Sequence, residues 1–151
     1  MAEGRIRVIS LAVILRPADH AMLAIRYPYA RLASGHFYRS PGGGVEFGEE
    51  SGAAIQREMV EELGHPVQLE RLLGVIENLF HHNDRPYHEV VFQWLVRFED
   101  PGLYKRDFFP VKEDNGDEYV AEWVQVDDLA ARGVPLFPYA VADLIRGVTY
   151  D

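Results

Sequence analysis

Gly43-Gly44-Val45-Glu46-Phe47-Gly48-Glu49-Glu50-Ser51-Gly52-Ala53-Ala54-Ile55-Gln56-Arg57-Glu58-Met59-Val60-Glu61-Glu62-Leu63-Gly64-His65 carries six carboxylates in 23 residues. Glu58, Glu61 and Glu62 stand three and four apart, so a helix places them on one face. Like charges one turn apart repel, and a hard divalent cation turns that repulsion into binding. The plain alternative is a solvated acidic face with Arg57 as internal counter-charge. Ile55, Met59 and Leu63, with Val60 beside them, form an apolar stripe on the other side, which leaves the acids for a cleft or solvent. Ser51 is the expected N-cap, and Gly64 followed by Pro66 ends the helix.

Upstream lies Ser40-Pro41-Gly42-Gly43-Gly44, read as a loop whose glycines allow tight turns, close approach to a ligand and exposed carbonyls. With these residues in place the stretch resembles the Nudix box. Gly43, Glu49, Arg57, Glu58, Glu61, Glu62 and Gly64 all match its fixed positions. At a background of roughly 6% per position, chance agreement is on the order of 10⁻⁹ per window. The departure is His65, where the motif is usually aliphatic. It touches packing at the helix end and not the carboxylates.

Around the box, 151 residues suffice for one domain, 1–151, with 48% hydrophobic and 26% charged residues. Cysteine is absent, which removes thiolate chemistry and disulfides and fits a cytoplasmic home. No stretch reaches the ~18 apolar residues of a membrane span. A formal net charge of -9 disfavours a nucleic-acid binder.

In chain order, 5–16 reads as a strand buried on both faces, Pro17 to His20 as a turn, and 21–27 as a second strand in a hairpin with the first. Pro28 to Gly35 is a loop and Phe37-Tyr38-Arg39 a short strand. No acid falls between Asp19 and Glu46, whereas Arg26, Arg31 and Arg39 do, a local positive island suited to phosphate or to balancing the acidic helix. Val67 to Phe80 predicts one or two strands broken near Gly74, and His81 to Tyr87 a polar hairpin loop. His81, His82 and His88 match no standard zinc spacing. Alternation in the strand from Glu89 to Val96 puts Glu89, Val91, Gln93 and Leu95 on one face, so Glu89 and Gln93 could line a cleft. Residues 99–118 read as a long charged loop whose Glu113, Asp114, Asp117 and Glu118 could supply a further ligand or base. Tyr119 to Val126 is the last strand, Asp127 caps a short helix, and Pro138 to Arg146 closes the chain.

Strands on either side of a central helix make an α/β layered protein. The resemblance implies the specific form: an α/β/α sandwich with a mixed sheet and the box as loop-helix-loop. It also implies Mg2+, with Mn2+ as substitute, held by Glu58, Glu61, Glu62 and the carbonyl of Gly42 or Gly43. Arg57 would orient Glu49 or Glu61, and Glu49 would brace the loop. The positive island adds Arg26 and Arg39, and the strand alternation Glu89, as residues to meet substrate. The implied reaction is attack of water on phosphorus in a nucleoside diphosphate linked to another group. The implied partner is that small molecule, and a homodimer is compatible with it. Subfamily marks are missing: Phe80 stands where ADP-ribose hydrolases carry a proline. The triple glycine is similar to diphosphoinositol phosphatases, but -9 suits that polyanion poorly. A nucleotide-binding regulator without hydrolysis is the alternative, against which the full set of box carboxylates argues. Prenyl-diphosphate isomerases of related fold use a cysteine that this chain lacks.

Overall fold

The computed structural model describes residues 4–148. The first apolar run forms β1 (Ile6–Val13) and the next β2 (Met22–Pro28). Ala12, Ile14, Leu23 and Ile25 enter one apolar cluster, while Val13, Leu15, Met22 and Ala24 enter another on the opposite side. Two-sided burial is why these runs are nearly continuous in the sequence and not alternating.

The hairpin expected from them survives only at its neck. Arg16 N–H donates to the Ala21 carbonyl at 2.8 Å, Leu23 N–H to that of Ile14 at 3.0 Å, and Leu15 bridges Met22. The strands then part into different sheets, because each has a longer ladder elsewhere. β1 runs parallel to β6 (Arg85–Phe98) from Ile6↔His88 to Val13↔Leu95. β2 runs antiparallel to β8 (Glu118–Val124) from Met22↔Val124 to Arg26↔Val120.

β3 (His36–Arg39) leads to Gly42–Gly44, which is a short strand, β4, and not the loop expected from its composition. It pairs antiparallel with β1, Ser10 opposite Gly43. Gly42 has φ 148°, and a Cβ there would lie 2.1 Å from the Ser10 carbonyl oxygen. Glycine is therefore required by backbone contact, and the strand can lie flush on β1.

The box helix, α1, is Ser51–Leu63. Its cap residue is Glu50, one position before the expected Ser51, whose hydroxyl instead accepts from Trp94 Nε1 at 3.0 Å. Gly64 ends it in the left-handed region (φ 81°), its N–H on the Met59 and Val60 carbonyls, as the sequence predicts. Ile55 and Met59 are fully buried against Phe109 and Ala121, whereas Val60 is exposed. Burial of two such side chains stabilises the helix by about 1.5–3 kcal/mol each.

β5 (Val67–His82) and β6 form a long hairpin with bulges near Leu69/Arg71 and Leu72/Gly74, at the break expected by Gly74. The polar loop shrinks to Asn83-Asp84, both with positive φ (52° and 64°), the geometry of a two-residue hairpin turn. Residues 99–118 are not one loop. They contain a 3₁₀ turn (Pro101–Lys105) and β7 (Phe108–Lys112), which pairs with β8 and buries Phe109 and Val111. After β8 come α2 (Val126–Ala131), β9 (Leu136–Phe137) and α3 (Val141–Arg146). Gln125, not Asp127, occupies the cap position of α2, and α3 begins three residues later than the sequence suggests. The mixed pairing is divided between two sheets, β4-β1-β6-β5 and β7-β8-β2-β3-β9, with β1∥β6 and β3∥β9 as the parallel pairs. Among the described residues no helix is long and apolar enough to cross a membrane.

Candidate active site

A cavity of about 670 Å3 opens where the two sheets and α1 meet. Gly42, Gly43, Gly44, Glu58 and Glu62 line one end of it. Glu58 and Glu62, one turn apart on α1, are only 4% and 6% exposed. A Cβ on Gly43 would lie 2.6 Å from the Glu58 carboxylate, so the absent side chain is the space the carboxylate fills. The Gly42 N–H donates to Glu62 Oε1 at 2.9 Å. Burial raises the pKa of Glu58 against the pull of Arg57. Burial also raises that of Glu62, and the neighbouring Glu113 carboxyl adds to the shift. The hydrogen-bond partners of Glu62 are thus an amide and a second acid, neither bringing positive charge.

Arg57 ties the loop to the helix. Its Nε and Nη2 clasp the Glu49 carboxylate (2.8 and 3.0 Å), Nη2 also donates to the Gly44 carbonyl (2.9 Å), and Nη1 donates to Glu58 (3.0 Å) and Glu61 (3.1 Å). These use the five donors of the guanidinium, a geometry a lysine cannot reproduce. Glu49 accepts the Glu46 N–H at 3.0 Å as well, and Arg57 holds its pKa down at about 2. Glu61 is exposed and sits on Arg57, outside the cavity lining. His65, the departure from the box pattern, packs edge-on against Phe98 and Phe109 (centroids 6.2 and 5.9 Å), so an imidazole does the packing work of the usual aliphatic.

Opposite the carboxylates, Glu89 is buried at 2% exposure and meets Arg39 at 3.1 Å and Arg7 at 3.8 Å. All three line the cavity. Arg39 and Glu89 thus share the cavity with the helix carboxylates. Arg26 does not: strand alternation turns Tyr27 into the cavity and leaves Arg26 exposed beyond it. Arg31 pairs with Asp84 at 3.0 Å, also outside the lining. Gln93 is fully buried and does not line the cavity.

The turn after β7 delivers Glu113 and Asp114 to the cavity, while Asp117 and Glu118 stay out of it. Tyr27 OH donates to Glu113 Oε1 at 2.5 Å, and burial first, then Glu113, raises the tyrosine pKa. Sequence reasoning missed Arg7, Tyr27 and the aromatic residues Tyr29, Phe37, Phe80, Tyr87, Tyr119 and Phe137 that line the far end. The one available signal was alternation in β1, which puts Arg7 on the face of Ile9 and Leu11. Among the described residues no three histidine or acidic side chains converge as a ready metal cage, and the three histidines of the hairpin form none. The donor set still suits a hard cation: Glu58 and Glu62 are buried, Glu113 and Asp114 join them in the lining, all offer oxygen, and Arg57 meets Glu58 but not Glu62.

A family model described as NUDIX domain matches residues 6–144. Diphosphoinositol polyphosphate phosphohydrolase 2 of Rattus norvegicus is 42% identical over 76 residues, covering 48% of this chain and 42% of that protein. Diphosphoinositol polyphosphate phosphohydrolase 3-beta of Homo sapiens is 42% identical over 77 residues, covering 48% and 47%. The likeness thus spans less than half the length of these curated relatives. Among solved structures, the MutT NUDIX hydrolase from Burkholderia pseudomallei is 29% identical with a TM-score of 0.64, covering 97% of this chain and 100% of that one. A NUDIX hydrolase from Nitrosomonas europaea is 26% identical with a TM-score of 0.60, covering 94% and 87%.

Proposed function

Because the chain belongs to the Nudix family, we propose that it hydrolyses the pyrophosphate bond of a nucleoside diphosphate linked to another group, with Mg2+ as cofactor and water attacking phosphorus. The observation that carries this reading is the burial of Glu58 and Glu62 together beside the glycine strand. Glu58 has Arg57 beside it, while burial and Glu113 hold Glu62 toward its neutral form, and a divalent cation would let both carboxylates ionise together. Bound there, Mg2+ lowers the pKa of a water and neutralises phosphate oxygens, and Mn2+ suits the same donors.

The chain's own residues divide the remaining work. Glu58 and Glu62 would hold the cation, with Glu61 as a third carboxylate on the same helix. Gly42 and Gly43 give the substrate backbone-close access, with a carbonyl available to the metal. Arg57 fixes Glu58 in place and, through Glu49, anchors the loop to the helix. Arg39 and Arg7 hold a substrate phosphate, and Glu89 positions both guanidinium groups. Glu113, aligned by the Tyr27 hydroxyl, completes the carboxylate set as a further ligand or as acceptor of the water's proton.

A panel of nucleoside diphosphate derivatives with Mg2+, run in 18O-labelled water, tests the reaction. Nucleoside monophosphate or inorganic phosphate should be released, with label in a phosphate-bearing product. Label confined to a non-phosphate product, or no turnover across the panel, would overturn the reading.

A further inference from the structure

We propose that the free edge of β5, from Ile76 to His82, pairs with the same edge of a second copy of this chain. The two strands run antiparallel about a two-fold axis at Leu79 and join the two four-stranded sheets edge to edge.

β5 is the outermost strand of its sheet, and among the described residues β6 is its one neighbour. The two halves of this edge are built differently. In the half near Val67 the ladder carries two bulges, Arg97 pairs with Glu70, and a Cβ on Gly74 would lie 3.2 Å from Leu144 of α3. Bulges, charges and a covering helix are the means by which proteins keep an edge from pairing. From Val75 to His82 the register with β6 is unbroken. That stretch, Val75-Ile76-Glu77-Asn78-Leu79-Phe80-His81-His82, holds no lysine, arginine or proline and a single acid. A regular edge of this kind is a template for another strand.

Hairpin geometry decides which backbone groups face outward. The two-residue turn Asn83-Asp84 is closed by the pair His82↔Arg85, which is a bonded pair in such a turn. Bonded and non-bonded pairs alternate along an antiparallel ladder. Phe80 and Asn78 therefore bond to β6, whereas His81, Leu79 and Glu77 turn their N–H and C=O groups to the free edge. Among the described residues no hydrogen bond from a turn, loop or side chain reaches those groups. The side chains of the same three residues are exposed, Leu79 at 69%, and alternation sets them on the face opposite Phe80 and His82. His81 also touches the rim of the cavity.

Charge complementarity selects a second copy as the occupant. The outward residues Glu77, Leu79 and His81 offer the reverse order to a strand running the other way. With the axis at Leu79, Glu77 faces the partner's His81, the pair recurs by symmetry, and Leu79 faces its own equivalent. An imidazole N–H donates to a carboxylate, and complementary cross-strand pairs stabilise a sheet while like charges weaken it. An axis at Glu77 would set that acid against itself, and one at Asn78 would set it against leucine. A pairing of this length buries less surface than a standard stable interface, so the dimer forms in the micromolar range.

Sedimentation velocity of the full chain across the micromolar range tests the association, and amide hydrogen exchange at the same concentrations locates it. A monomer–dimer equilibrium should appear. Exchange at Glu77, Leu79 and His81 should slow as concentration rises, while Asn78 and Phe80, already bonded to β6, should not change. His81→Glu sets acid against acid twice and should weaken the dimer about tenfold. Adding Glu77→Lys to that variant should restore the dimer, because a lysine then faces each new glutamate. Recovery in the more heavily altered chain also shows that the single variant had not simply misfolded. A chain that stays monomeric into the millimolar range overturns the proposal. So does a dimer that leaves exchange at Leu79 unchanged, that tolerates His81→Glu, or that the second substitution fails to restore.

Discussion

The two ends of the cavity are built in opposite ways. At the carboxylate end, Glu58, Glu62 and the Arg57 and Glu49 that brace them come from one stretch of 23 residues, with Glu113 and Asp114 added from the turn after β7, and a helical repeat brings Glu58 and Glu62 side by side. At the aromatic end, Tyr29, Phe37, Phe80, Tyr87 and Phe137 come from five places in two sheets. The first end is specified by spacing along the chain, the second by which strands pair. A local arrangement survives small shifts of the fold, because the helix carries it as a unit. A distributed one depends on every ladder that positions it.

The sharpest way to break this comparison is Glu62→Gln, which keeps shape and removes charge. Mg2+ affinity and kcat should fall together, kcat by about a hundredfold or more. Stability in metal-free buffer should hold or rise, since burial and Glu113 already push the Glu62 carboxyl up to about 10 and the amide spares the cost of ionising it there. Wild-type turnover in this variant would leave Glu62 a buried acid with no part in the chemistry.

Gly42→Ala addresses the join between the ends. Its Cβ would lie 2.1 Å from the Ser10 carbonyl oxygen, at a φ of 148°. β4 must then lift off β1, at a cost of about 2–3 kcal/mol in chemical denaturation. An unchanged midpoint would mean that the glycine strand is not held flush.

Arg39→Ala and Arg26→Ala separate the cavity from the rest of the positive island. Loss of a charged hydrogen bond to phosphate should raise KM about tenfold for Arg39→Ala. Arg26→Ala, off the cavity, should leave KM unchanged. Equal effects in both would erase the distinction between sequence neighbourhood and spatial neighbourhood.

The smallest effect belongs to the β1–β2 turn, locally encoded but remote from the chemistry. Arg16 donates twice to Asp19 (2.9 and 2.7 Å), holding its pKa down at about 2. A depressed carboxylate pKa contributes stability above its unfolded value, near 4, and loses it as pH falls toward 2. Asp19→Asn should therefore flatten the acid limb of the stability curve, by less than about 1 kcal/mol because the pair is partly solvated. An identical acid limb in the variant would show that the pair contributes nothing.

The same division governs what could be read in advance. The sequence alone determined α1, its Gly64 stop and the alternation that sends Glu89 inward. Each follows from periodicity or chemistry within a few residues. It also drew attention to Glu113, though as part of a loop that is in fact half strand. Only the tertiary structure decided that β1 and β2 separate into two sheets, that the triple glycine is a strand, and that Arg7 and not Arg26 faces Glu89. Strand pairing is chosen by which ladders bury the most surface across the whole chain, and no local pattern encodes that sum. Spacing can place two glutamates on one face of a helix, but a ring from β3 meets a ring from β5 only after every intervening pairing has been settled.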